Sequence, residues 1–135
     1  MRVVVDTNVL ISGIFFTGPP HQILEAWIKG SLDFVATTEI LEEYRRVAAE
    51  LSTRYPAIEV GYALDLLVVN TFICMPATLV HQVCEDPDDD KFIACAMAGG
   101  SNVIVSGDRH LLGVSGFQGI EVLRPRDFID RYLAE

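Results

Sequence analysis

Short apolar runs recur along this chain, and stretches of helical period separate them. Residues 3–5, 33–36, 72–75, 103–105 and 120–123 read as strands. Helical patterns cover 22–29, 38–51, 58–67, 87–98 and 125–133, with shorter helical turns after residue 6 and over 111–114. Gly30, Pro76 and the Gly99-Gly100 pair punctuate the pattern. Strands that alternate with helices build a parallel sheet covered on both faces. In such sheets ligands bind beyond the carboxyl ends of the strands.

Composition narrows the classes. The chain has 135 residues, half of them hydrophobic, which suits one domain over residues 1–135 with its own core. No uninterrupted apolar run approaches the roughly 18 residues of a membrane span. The start, Met1-Arg2-Val3-Val4-Val5-Asp6, lacks the apolar core of a secretion signal. Cys74, Cys84 and Cys95 are odd in number and have no metal-ligand spacing. They are expected as free core thiols in a reducing, cytoplasmic compartment. Net charge is −9, from 10 Lys and Arg against 19 Asp and Glu. That balance argues against a basic nucleic-acid surface, unless divalent cations invert the local field.

The acids are unevenly placed, and four of them stand out. Asp6 ends the apolar run in "VVVDTNVLISG". A charge there is costly without compensation. A helix N-cap and a metal ligand are both adequate readings. Asp108, in "NVIVSGDRHLL", carries the same two readings after another strand. If the two strands are neighbours, the two carboxylates lie close together and call for a cation. In "TTEILEEYRRVAAEL", Ile40, Leu41, Tyr44, Val47, Ala48 and Leu51 form one apolar stripe at 100° per residue. Glu39 and Glu42 fall outside it and solubilise the helix, whereas Glu43 sits on its border, where it either solubilises the helix or reaches a cleft.

The fourth candidate lies in "EDPDDDKFIACAMAGG". Asp86 and Pro87 read as N-cap and first helical residue. Asp88 and Asp89 suit the first-turn helix dipole, and Asp88 doubles as an auxiliary ligand. With Phe92, Ile93, Ala96 and Met97 as the buried stripe, Asp90 falls on its border and Lys91 points to solvent. Carboxylates converging without His or Cys form a hard oxygen site suited to Mg²⁺ or Mn²⁺. Such sites serve phosphodiester chemistry, with no side-chain nucleophile required. Of the histidines, only His110 stands near a candidate acid and is kept as a substrate contact, a plain core or surface role being the stronger alternative.

Together, "VVVDTNVLISG", "TEILEEYRRV" and "DDDKFIACAMAGGSNVIVSGDRHLL", in this order, make the chain resemble a PIN-domain ribonuclease over essentially its whole length. The resemblance implies a three-layer α/β/α sandwich around a mainly parallel sheet of about five strands. It implies a metal-holding, catalytic quartet of Asp6, Glu43, Asp90 and Asp108, supported by Asn8, Asp88 and Ser106. It also implies endonucleolytic hydrolysis of single-stranded RNA with Mg²⁺ or Mn²⁺. Arg45, Arg46, Lys91 and Arg109 are the candidates for phosphate contact, ordinary solvation being the plain alternative. Compact PIN proteins resemble VapC-type toxins, which implies an antitoxin partner and a homodimer. Two other readings compete: a PIN-like module that binds RNA or protein without cutting, and a haloacid-dehalogenase-type phosphatase. The phosphatase normally needs a second Asp where this chain has Asn8.

Overall fold

The valine run becomes the middle of the sheet because β-branched side chains fill both faces of a strand covered on either side. In the computed structural model, which describes residues 1–134, β1 (Arg2–Val5) lies between β2 (Asp33–Ala36) and β4 (Val103–Val105). β3 (Phe72–Ile73) and β5 (Glu121–Leu123) complete the order β3-β2-β1-β4-β5, with every pair parallel. The five-stranded sheet and its helices form the expected α/β/α sandwich.

Strand register sets up the site. Val5 pairs with Val105, and the Asp6 amide extends the ladder by donating to the Val105 carbonyl at 2.9 Å. Asp6 and Ser106 therefore leave the sheet side by side. The chain places β2 and β3 on one side of β1, then β4 and β5 on the other. That change of direction opens a crevice at the carboxyl ends of β1 and β4.

The helices follow their patterns closely. They are α1 (Thr7–Phe15), α2 (Pro19–Ile28), α3 (Thr38–Ser52), α4 (Val60–Asn70), α5 (Asp90–Gly99), α6 (Arg109–Leu112) and α7 (Pro125–Phe128). The last continues as a wider π turn, Ile129–Leu133. Thr37 caps α3, its hydroxyl accepting the Ile40 amide at 3.2 Å. The stripe expected on α3 packs inward, with Ile40, Tyr44 and Ala48 buried.

α5 lies across β1, β2 and β4 and buries Phe92, Ile93, Cys95 and Ala96. Met97, expected in this stripe, is 40% exposed. Its place against the sheet goes to Gly99, whose α-carbon approaches Val35 so closely that a Cβ would collide with that side chain. Gly100 then ends the helix at φ 70°, a left-handed conformation that costs glycine little. The helix expected over 87–98 opens differently: Pro87–Asp89 form a 3₁₀ turn, and the α-helix begins only at Asp90.

Cys84 and Cys95 are buried, Cys74 is half-buried, and all three are free thiols. Burial pushes the Cys84 thiol up to about 12, so it is inert at neutral pH. On α4 only Leu67 is buried; Tyr62, Val68 and Val69 are open, as are Phe72 and Ile73 of edge strand β3. No helix among the described residues is long and apolar enough to cross a membrane.

Candidate metal centre

Asp6 is 6% exposed and stands at the N-cap position of α1, yet its side chain makes no capping hydrogen bond. The Ser106 hydroxyl donates to its Oδ2 at 2.7 Å instead. Ser106, itself fully buried, also accepts the Asp108 amide at 2.9 Å, tying the ends of β1 and β4 together. Burial raises the Asp6 pKa; the Ser106 bond opposes this, and the Asp108 and Glu43 charges reinforce it. A carboxylate in these surroundings is poised for a cation.

Asp108 does cap its helix, accepting the His110 amide at 3.2 Å. The N-cap reading holds, and capping leaves the rest of the carboxylate facing the crevice. There it meets Asp89. Burial, a hydrogen bond to Asp108 and the charges of Asp108, Asp86 and Asp6 push the Asp89 carboxyl up to about 7. Burial works the same way on Asp108, but the Asp89 proton and the His110 amide outweigh it and hold Asp108 below its ordinary value. In the absence of a cation the two carboxyls share a proton.

Asp90 is not part of this group. Its Oδ1 accepts the Cys84 amide at 2.7 Å and its Oδ2 the Val83 amide at 3.0 Å, so both oxygens pin the preceding loop. The acid that faces Asp108 is its neighbour Asp89. A 3₁₀ turn advances about 120° per residue against 100° in an α-helix. Extrapolating an α-helix back to Pro87 therefore misplaces the acids at its start. The Asp-Pro opening was the available signal, since 3₁₀ turns are frequent at helix N-termini.

Glu43 comes off the border of α3 as its phase predicts, 17% exposed. The Thr7 hydroxyl donates to Oε2, and the Lys91 ammonium donates to Oε1 at 2.8 Å. Lys91 does not point to solvent: its side chain is 11% exposed, with a second tie to Asp88 at 3.2 Å. Burial works against the charge, but the bonds to Glu43 and Asp88 prevail and raise the Lys91 pKa. Asp88 is correspondingly exposed and serves Lys91.

Two open clefts flank these acids. One, about 380 Å³, is lined by Asp6, Asn8, Ser12, Gly107 and Asp108. The other, about 510 Å³, is lined by Glu39, Glu42, Glu43, Arg46, Asp88 and Lys91, so Glu39 and Glu42 reach its rim along with Glu43. Asn8 is exposed on the first rim. Arg46 reaches to 3.7 Å from Glu43, while Arg45 and Arg109 are exposed. His110 stands 3.6 Å from both Asp89 and Asp108. A cavity of about 700 Å³ between residues 78–83 and 114–118 holds none of the candidate acids.

The donor set fits a hard divalent cation. Asp6, Asp89 and Asp108 offer oxygen only, and the buried Oδ2 of Asp89 has no hydrogen-bond partner. Among the described residues, the group whose ligand atoms lie within 4.8 Å of one another is Asp86, Asp89 and His110.

The family model for the PIN domain matches residues 2–110. The chain belongs to the PIN-domain family. PIN domains are generally metal-dependent nucleases, and the matched span contains every acid described above. Membership disposes of the phosphatase alternative. No curated protein matches this PIN domain.

Proposed function

We propose that this PIN domain, spanning residues 1–135, is a metal-dependent endoribonuclease that hydrolyses phosphodiester bonds of single-stranded RNA. The observation that carries the reading is the convergence of Asp6, Asp89 and Asp108, with Glu43 beside them, at the crevice between β1 and β4. Asp6, Asp89 and Asp108 would hold Mg²⁺ or Mn²⁺, which when bound supplies water activation and neutralises charge developing on the phosphate. Ser106 fixes the Asp6 carboxylate and the Asp108 backbone, and Thr7 fixes Glu43. Asn8 on the open rim is placed to orient water or a ligand. Arg46, which lines the cleft beside Glu43, and the exposed Arg109, next to Asp108 in the chain, are suited to RNA phosphates.

By analogy with VapC-type toxins, the reading extends to a toxin role with a small antitoxin partner; the three free thiols favour cytoplasmic residence. The exposed apolar residues of α4 and β3 favour a protein partner, for which a second copy is the simplest choice.

The test is cleavage of a mixed single-stranded RNA pool with Mn²⁺, with Mg²⁺ and with EDTA, alongside Asp6→Ala and Asp108→Ala. Metal-dependent cuts missing from both variants support the nuclease. RNA binding without cleavage under every condition would favour the non-cutting module.

A further inference from the structure

We propose that the Lys91 ammonium is a built-in second cation of this centre, so that the site takes one divalent ion and not two. The inference rests on the metal-dependent reading above and concerns how many ions the acids hold. Its ground is the unequal state of their oxygens. Both oxygens of Glu43 are engaged, Oε1 by Lys91 at 2.8 Å and Oε2 by the Thr7 hydroxyl. Across the crevice, Asp89 Oδ2 accepts no hydrogen bond, its nearest cationic neighbour being His110 Nδ1 at 3.6 Å. Each Glu43 oxygen already accepts a donor, whereas this Asp89 oxygen does not.

The occupying charge is well held. Lys91 and Glu43 are 11% and 17% exposed, so salt and water screen the pair far less than a surface pair. Asp88 fixes the ammonium from a second side at 3.2 Å, and the charge lies 5.5 Å from the centre of the Phe92 ring. Paired metals typically stand about 3.5–4 Å apart and share carboxylates. A second ion at Glu43 would have to displace Lys91 or sit against its positive charge. Lys91 is thus a positioning residue, acting through Glu43 and needing no contact with reacting atoms.

The experiment counts Mn²⁺ per chain by calorimetric titration, checked by the electron paramagnetic resonance signal of free Mn²⁺. The proteins are the wild type, Lys91→Met and Lys91→Arg. Methionine keeps an apolar stem over Phe92 and removes the charge; arginine keeps the charge. One ion is expected in the wild type, two in Lys91→Met because Glu43 is released, and one again in Lys91→Arg. Without metal, Lys91→Met should melt a few degrees below the wild type, and Mn²⁺ should raise its melting temperature more. Two ions in the wild type would overturn the proposal, as would one ion in a folded Lys91→Met with unchanged affinity. No Mn²⁺ bound by the wild type would instead overturn the metal reading beneath it.

Discussion

Replacing Asp89 by Asn should stabilise the metal-free protein at alkaline pH while removing one of the proposed metal ligands. In the folded, metal-free chain the Asp89 carboxyl titrates near 7, against an ordinary value of 3.8. Between those pH values the folded state holds a proton that the unfolded state has lost. Stability is therefore highest below the unfolded value and falls as pH rises through the window. Asp108 is shifted the opposite way, so its stabilising contribution is lost only as pH falls below about 4. The full shift at Asp89 would correspond to about 4 kcal/mol, but water in the open crevice screens it to about 1–2 kcal/mol. Asparagine matches the protonated carboxyl in shape and presents an N–H to Asp108. The assay is thermal unfolding in EDTA at pH 5 and pH 8. The wild type should lose about 3–8 °C between the two, and Asp89→Asn should change little. At pH 8 the variant should be the more stable until Mn²⁺ is added, which then favours the wild type. Parallel profiles for the two proteins would refute the shared proton.

Asp90→Ala should behave differently from its neighbour. It removes two amide acceptors from the loop at Val83 and Cys84 and should cost about 1–3 kcal/mol in urea unfolding. Its Mn²⁺ affinity, read by calorimetry, should stay within about twofold, because both oxygens of this carboxylate already accept loop amides. Ser106→Ala strips the donor from buried Asp6 and the acceptor from the Asp108 amide; Mn²⁺ affinity should fall about 10- to 100-fold. Gly99→Ala forces α5 away from Val35 and should lower stability by about 1–3 kcal/mol, with a matching drop in melting temperature.

Much of the site was legible because two periodicities speak for themselves. An apolar run ending in an acid places Asp6 and Asp108 at strand ends, and the 100° phase of α3 singles out Glu43 from Glu39 and Glu42. The choice between Asp89 and Asp90 was not legible. Adjacent acids at a helix start differ only through local backbone geometry, and a 3₁₀ turn leaves no signature in hydrophobic spacing. Lys91 was misread for a related reason. Its position is set by acids on α3 and on its own first turn, and helical phase counts apolar neighbours alone.

The sequence by itself determined the alternation of strands and helices, the buried valines of β1 and the strand-end placement of Asp6 and Asp108. Those properties follow from local propensity and from which side chains avoid water. Only the tertiary structure decided that β1 and β4 are neighbours, which makes two N-cap candidates into one acidic centre joined by Ser106. It also decided which oxygens accept hydrogen bonds there: Asp89 Oδ2 accepts none, while those of Asp90 and Glu43 each do. Hydrogen-bond partners distant in sequence settle that allocation, and a one-dimensional pattern carries no record of who those partners are.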